Sequence, residues 1–485
     1  MGFFAELATR QERRWVICGL ALFLLLAIAT ILTKGPWWDE GVYAGPAHNL
    51  AQGGRLGAHS LSTAAYERGD EFVYWSLPLY FVSLAGWFKI FGFSIFTMRA
   101  FSVCWGIALL LAWLALISRL SHSRLAVTIF FVLLSCDAEV VAAATNGRMD
   151  TMTAALGYGS VAVFVWFRER NFWAAVLGGS SLAAAAVFTH PLGIIYVASF
   201  AITALYFDWR RIRYYHFLAA AAPFAVLAVC WGLYILQVPA LFALQIKTSA
   251  ARRVGGRNIL SLLLTDFPQR YLFNYVTSPR VHGILRLKGV LLLGYLAGVA
   301  GGLLTPAIRR TKESRLLLIL VGVHAVLLAI CDNQRFWTYF VHITPLFLAL
   351  LALSGAYWLE RRNWTTWAAR GGLALFMALQ AGALMARVKS NTFQNTYRPA
   401  VEYLQSHVHG DSEIMGNCEL MFAFGSDKHI SDGMRPALYY AHRPDWIVLN
   451  SGGYGYSKLY EPERYRLVFE NVEYQIYQRK TEAPD

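Results

Sequence analysis

Two adjacent carboxylates, Asp39 and Glu40, follow the aromatic corner Pro36-Trp37-Trp38, and Asp150 stands two residues after Arg148 in TNGRMDTMTAALG. A carboxylate ahead of an apolar helix either caps that helix or, where water is excluded, accepts a proton from a reacting hydroxyl. Both readings stand for Asp39, Glu40 and Asp150. Asp137 and Glu139, in VLLSCDAEVV, lie in the outer part of an apolar run. A charge there is costly and marks an internal ion pair or a substrate contact. Cations occupy comparable places: Arg99 in IFTMRAF, Arg148, and Arg335 in CDNQRFWTYF. Segment 245–288 adds Arg252, Arg253, Arg257 and Arg270 among others, against the single acid Asp266. The isolated cations either reach to headgroups or serve a site, and those of the loop are either solvated or gather phosphate through bidentate guanidinium contacts. His190, in FTHPLG, is a hydrogen-bonded structural residue or a neighbour of such a phosphate.

These residues are positioned by a chain of 485 residues that is 57% hydrophobic and 15% charged, with a mean hydropathy of +0.42. Ordinary soluble domains carry about 25% charged residues, so the composition describes an α-helical protein that crosses a membrane many times. The net charge of +14 sits mostly in short loops between apolar runs. That pattern points to anionic lipid headgroups as partner and away from nucleic acid. The six cysteines form no CxxC pair, and no disulfide framework or zinc site is readable.

Apolar runs recur near 15–33, 77–96, 100–117, 125–145, 151–167, 172–189, 191–207, 217–237, 287–306, 315–331, 338–359 and 366–387. Basic clusters separate them: Arg119 with Arg124, Arg168 with Arg170, DWRRIR, RRTKESR, and Glu360-Arg361-Arg362. Placing every cluster on the cytoplasmic side requires an even number of crossings between them. One run before Arg119 therefore cannot cross. The run at 77–96, interrupted by Pro78, Gly86, Lys89 and Gly92, is expected to be re-entrant or interfacial, leaving eleven crossings. The N-terminus, whose first run reads as an uncleaved anchor, is then cytoplasmic, and the carboxylates and the tail lie outside. Residues 1–390 form the membrane unit, with a first outer loop at 34–98 and a basic outer loop at 238–286. Residues 391–485 read as a small extracytoplasmic α/β domain.

In their order and common outer location these features resemble the GT-C membrane glycosyltransferases, in particular the protein O-mannosyltransferase and aminoarabinose (lipid A) transferase branch. The resemblance covers roughly residues 15–390. Asp39, Glu40, Tyr43 and Ala44 match the family's Asp-Glu-x-x-aromatic-small motif, Arg99 its Met-Arg element, and Asp150 its second-loop Asp. Arg335, Tyr339, Pro345 and Leu346 match its late basic, Tyr and Pro-Leu pattern. WSLPLY offers Ser76 where the family often has His or Lys, and Thr189-His190 replaces a basic residue.

The resemblance implies an inverting transfer of a sugar from a polyprenyl-phosphate donor to a hydroxyl of a glycan, lipid or protein acceptor, at the outer face of a bacterial inner membrane. Asp39 would be the base, with Glu40 and Asp150 orienting hydroxyls. Tyr43, Arg99, Arg148, His190, Arg252, Arg253, Arg257 and Arg335 would bind the donor and its phosphate, and Asp137 and Glu139 would contact acceptor or sugar. No cofactor is implied, although a divalent cation would fit a closely spaced carboxylate set. The alternative is a transporter or flippase of a lipid-linked sugar. It is disfavoured because no inverted repeat is visible and the charges gather at one face rather than at the midplane.

Overall fold

The computed structural model describes residues 10–61, 68–254, 258–275, 285–361, 364–425, 428–431, 442–450, 459 and 461–480. The chain begins with α1 (Arg10–Thr33), which turns Phe23, Ala27 and Ile31 inward at one-turn spacing and leaves Ile17, Leu25, Ile28 and Leu32 exposed. A short helix, α2 (Trp38–Ala51), follows at once and is buried along most of its length. The expected non-crossing run is α3 (Pro78–Phe91), with Pro78 at its first turn and Gly92, at φ 80°, ending it. Its 14 residues extend about 21 Å at 1.5 Å per residue, short of the roughly 30 Å of hydrocarbon.

The bundle continues through α4 (Ile95–Leu120), α5 (Arg124–Ser135), α6 (Ala138–Ala144), α7 (Asp150–Phe167), α8 (Phe172–Thr189), α9 (Ile194–Asp208) and α10 (Tyr214–Ile235). It is completed by α11 (Pro239–Val254), α12 (Ile259–Asp266), α13 (Leu285–Leu304), α14 (Lys312–Cys331), α15 (Thr344–Leu359) and α16 (Trp364–Ser390). Ser94, Ser123, Asn171 and Thr311 cap α4, α5, α8 and α14 through side-chain oxygens that accept a first-turn backbone N–H. Among the described residues, eight helices are long and apolar enough to cross a membrane, and α5 with α6, bent by 54°, makes a ninth. The charge alternation expects eleven. Of the two that fall short, both largely enclosed by other helices, α7 has 18 residues but carries Asp150, Thr151, Thr153 and Ser160, and α15 is apolar but only 16 residues long.

The basic clusters meet at one end of the bundle. The Arg119 guanidinium lies 3.9 Å from the Trp166 ring centre, Arg168 pairs with Asp208 at 2.7 Å, and the Ser123 hydroxyl donates to Glu360. The first carboxylates lie at the opposite end, as the alternation of loops requires. Segment 238–286, expected as a loop, is mostly helical where described: α11, α12 and a wide-turn helix over Phe267–Tyr275. It is held by Gln245, whose side chain accepts from the backbone N–H of Tyr74 (2.7 Å) and Trp75 (3.1 Å) and donates to the Phe72 carbonyl (2.9 Å).

After α16 a further helix, α17 (Arg398–His407), leads into a five-stranded sheet of β1 (Ile414–Gly416), β2 (His429–Ser431), β3 (Trp446–Asn450), β4 (Tyr465–Glu470) and β5 (Tyr474–Arg479). The order is β2-β1-β3-β5-β4, with β1 parallel to β2 and β3, and β5 antiparallel to β3 and β4. Alternate residues Trp446, Val448, Tyr474 and Ile476 pack with Ala400 and Leu404 of α17 into a separate apolar core. The turn Cys418–Leu420, just after β1, lies directly on α2. A Cβ placed on Gly41 would come within 2.1 Å of the Cys418 carbonyl oxygen. Gly41→Ala is therefore expected to destabilise the protein by about 1–3 kcal/mol and to loosen the sheet domain from the bundle. Thermal unfolding and limited proteolysis in detergent check this; unchanged melting and an unchanged cleavage pattern contradict it.

Candidate active site

The end of α1 and the start of α2 are fixed by one buried ion pair. Glu40 has no solvent exposure. It accepts from Arg99 Nε (2.8 Å) and Nη2 (2.7 Å), from the Trp37 backbone N–H (2.8 Å), and from the Gly147 backbone N–H (2.8 Å). Arg99 also donates from Nη1 to the carbonyls of Lys34 (2.7 Å) and Ile31 (3.3 Å), and from Nη2 to that of Gly35 (2.9 Å). Those carbonyls form the negative C-terminal end of α1. All five guanidinium N–H groups are thus engaged. Arg99, expected at a donor phosphate, is a structural clamp, and Glu40, expected at a substrate hydroxyl, is its partner. Burial by itself would raise the Glu40 carboxyl, but the charges of Arg99 and Lys34 and the donated hydrogen bonds outweigh it and hold the group at about 2, against an ordinary 4.5.

Asp39, one residue earlier, points elsewhere. Its Oδ2 pairs with Arg148 Nη1, and Arg148 Nε donates to Asp150 Oδ2 at 2.8 Å, so one guanidinium joins two carboxylates from separate helices. The same guanidinium carbon lies 5.1 Å from the Trp37 ring centre and 5.7 Å from those of Tyr43 and Phe336. Trp37 stacks on Trp337 at 6.3 Å, and Lys288 Nζ lies 5.7 Å from the Trp337 ring. The structure therefore brings together Asp39, Tyr43, Arg148 and Asp150, with Trp37, Phe336, Trp337 and Lys288 beside them. Asp39, Arg148 and Asp150 are each less than a tenth exposed. In such surroundings a cation acts on a phosphate far more strongly than at a wet surface.

The other expected site residues serve different ends. Asp137 caps α6, accepting from the Glu139 and Val140 backbone N–H groups at 3.0 Å. Its second oxygen accepts from the Tyr295 hydroxyl and from Gln380 Nε2 (2.6 Å), which ties α13 and α16 to the bend. Glu139 pairs with Arg387 at 2.9 Å. Both are internal structural contacts, the first of the two readings open for them. His190 caps the short turn Pro191–Gly193, its Nδ1 accepting from the Leu192 N–H at 3.1 Å, with its ring 5.5 Å from that of Tyr339.

Arg335 donates to the Thr265 hydroxyl (2.6 Å) and lies 3.6 Å from Asp266. Its φ of 53° is stabilised by Asp332, which accepts from the Gln334 and Phe336 N–H groups at 3.1 and 3.0 Å. Arg270, fully buried, bridges Asp266 and Asp332 at 2.9 Å each and so locks the turn that presents Phe336 and Trp337. Arg252 and Arg253 fall on the last turn of α11, and Arg257 lies outside the described residues. Lys288, Arg270, Asp332, Gln380 and Arg387 were not separable from solvated groups by spacing: although Asp266 lies four residues before Arg270, the partners Trp337, Asp332, Asp137 and Glu139 are distant in sequence. Among the described residues no group of three or more His, Cys, Asp or Glu side chains is placed to hold a metal ion.

No family model and no curated protein matches the sequence. Solved structures match it by shape. ArnT from Cupriavidus metallidurans bound to undecaprenyl phosphate superposes with a TM-score of 0.63 at 13% identity, over 97% of this chain and 99% of that one. The Archaeoglobus fulgidus oligosaccharyltransferase in the apo form gives 0.55 at 12% identity, over 89% and 69%. AglB from the same organism, in complex with an inhibitory peptide and a dolichol-phosphate, gives 0.51 at 12%, over 91% and 70%. The chain has the GT-C fold. At these identities the likeness is one of architecture, and within the GT-C fold the Asp39–Arg148–Asp150 cluster is this chain's own geometry.

The Glu40–Arg99 clamp yields a signed expectation. A carboxylate held near 2 when folded and near 4.5 when unfolded stabilises the fold fully above 4.5, and that stabilisation is lost as pH falls toward 2. Glu40→Gln should lower stability by about 3–5 kcal/mol at neutral pH, since it leaves Arg99 buried without its counter-charge. Melting temperatures of the two proteins across pH 3–7 check this, the gap narrowing toward the acid end; a constant gap would contradict it.

Proposed function

We propose that this protein is an inverting glycosyltransferase that moves a sugar from a polyprenyl-phosphate donor to an acceptor hydroxyl on the extracytoplasmic face of the membrane. The observation that carries the reading is the shared guanidinium: Arg148 held between Asp39 and Asp150 inside an aromatic enclosure, in a chain with the GT-C fold. The solved relatives named with undecaprenyl phosphate and dolichol-phosphate support a lipid-borne donor.

The donor phosphate competes with Asp39 for Arg148. As the phosphate takes the guanidinium, Asp39 loses its counter-charge and becomes the more basic carboxylate, while Asp150 retains its bond to Nε and keeps Arg148 oriented. Asp39 then accepts the acceptor's hydroxyl proton as that oxygen bonds to the sugar's anomeric carbon from the face opposite the phosphate. The anomeric carbon–oxygen bond breaks, and the polyprenyl phosphate leaves with the electron pair and one more negative charge. Arg148, with Lys288 near the same aromatic wall, stabilises that charge. Tyr43 walls the guanidinium. Arg148 supplies between the two carboxylates the positive charge that a divalent ion would otherwise supply, so activity should survive EDTA.

Orientation follows from the basic end of the bundle: N-terminus in the cytoplasm, Asp39 and the sheet domain outside, where nucleotide sugars are not delivered, in a bacterial inner membrane. An Asp411→Cys variant in intact cells should react with a membrane-impermeant maleimide; labelling only after permeabilisation would reverse the assignment. With a labelled polyprenyl-phosphate sugar and membrane acceptor, Asp39→Asn should lower turnover by about 10²–10⁴-fold while donor binding persists. Transfer from a nucleotide sugar in the absence of lipid carrier, or near-normal turnover of Asp39→Asn, would contradict the reading.

A further inference from the structure

Buried polar atoms in a folded protein are nearly always hydrogen-bonded, so a concentration of unpaired ones asks for a ligand. Six such atoms occur in two segments that adjoin the shared guanidinium. Asn146 Oδ1, Asp150 Oδ1 and Thr151 Oγ1 belong to the turn into α7. Thr338 Oγ1, His342 Nε2 and Thr344 Oγ1 belong to the short helix Trp337–His342 and the start of α15. None has a hydrogen-bond partner among the described residues, and all six residues are at most 3% exposed. The two segments pack against each other. Phe336, which opens the second, lies against Arg148 in the first.

His342 is held from behind. Tyr158 donates its hydroxyl to the His342 carbonyl, and His324 Nδ1 donates to the same carbonyl at 2.6 Å. A hydrogen bond of 2.8 Å joins the Tyr196 hydroxyl to His342 Nδ1. The ring is therefore fixed in orientation, with Nε2 left to hydrogen-bond a ligand.

The set then comprises the His342 ring nitrogen, three hydroxyls able to donate or accept, and two acceptor oxygens. The single charge of Arg148 is shared between Asp150 and Asp39. Phosphate would meet two acceptors and no free cation in this set, and a hydrocarbon chain would bury all six groups unsatisfied. A ring of hydroxyls satisfies them. We propose that the turn 145–151 and the segment 337–344 together form the pocket for the donor's sugar, with His342 Nε2 hydrogen-bonded to a ring hydroxyl, Thr338, Thr344 and Thr151 exchanging hydrogen bonds with its neighbours, and Asn146 Oδ1 and Asp150 Oδ1 accepting from them. The pocket takes a hydroxylated sugar and rejects a uronate, whose carboxylate would face the two acceptor oxygens. This assignment rests on the lipid-donor reading and adds to it the residues that read the sugar.

The test compares probes that differ only in the sugar. Full-length protein in nanodiscs is titrated with undecaprenyl phosphate and with undecaprenyl phosphate carrying glucose, mannose or glucuronate. The wild type should bind at least one neutral-sugar probe about 10-fold more tightly than the bare carrier and the glucuronate probe no more tightly than it. Thr338→Val, which keeps shape, and His342→Ala should each erase that preference while leaving affinity for the bare carrier within about 2-fold. Retention of the sugar preference in both variants, or equal loss for carrier and sugar probes, would overturn the pocket assignment alone. Wild-type protein that binds none of the probes would overturn the lipid-donor reading and the pocket with it.

Discussion

The site depends on the buried pair between Glu40 and Arg99. Charges removed from water are costly, and a pair survives there only when its remaining hydrogen-bonding capacity is also met. Here it is met by backbone: Arg99 closes the carbonyl end of α1, and Glu40 receives the N–H groups of Trp37 and Gly147. Three chain segments that are far apart in sequence thereby converge on one carboxylate. Asp39 is adjacent to Glu40, Arg148 is adjacent to Gly147, and Trp37 begins α2. Registering Glu40 against Gly147 therefore registers Asp39 against Arg148. The Glu40–Arg99 pair sets the geometry of the Asp39–Arg148 pair.

This division of labour explains why neighbouring carboxylates differ. Glu40 is charge-balanced by a guanidinium that has no further N–H to offer, so nothing a ligand brings displaces it. Asp39 shares its guanidinium with Asp150, so its counter-charge is divided between two carboxylates. Aromatic faces on Trp37, Tyr43 and Phe336 accept the guanidinium without competing for its N–H groups, because a ring attracts a cation through its quadrupole. A cation retained by rings moves between anionic partners at lower cost than one enclosed by hydrogen bonds.

Much of the fold was legible in the sequence. Apolar runs separated by arginine clusters marked the helices, and Pro78 and Gly92 marked a run too short to cross. The carboxylates at helix starts were legible as a set, and the motif order carried the resemblance to a fold that structural comparison then supported. Pairing was not legible. Glu40 and Arg99 lie 59 positions apart, and Asp137 meets Gln380 across 243. A charge at membrane depth looks the same in sequence whether it is neutralised by a neighbour or reserved for a substrate. The same blindness made 238–286 read as a basic loop: Arg270 sits fully buried between Asp266 and Asp332, and only the fold brings Asp332 to it.

The sheet domain takes part in this geometry rather than trailing it. Gly41 follows Glu40 directly, and the lack of a side chain there lets the Cys418 carbonyl approach the first turn of α2. Glu419, next in the turn, is buried and accepts from Asn450 Nδ2 at 3.0 Å, so the contact turn is anchored to the end of β3. Any rotation of the sheet domain must therefore press on the turn that carries Asp39 and Glu40. The Glu40 side of that turn cannot yield without exposing the buried charge of Arg99, so the contact turn, Gly41 and the Glu40–Arg99 pair hold the first turn of α2 from two directions.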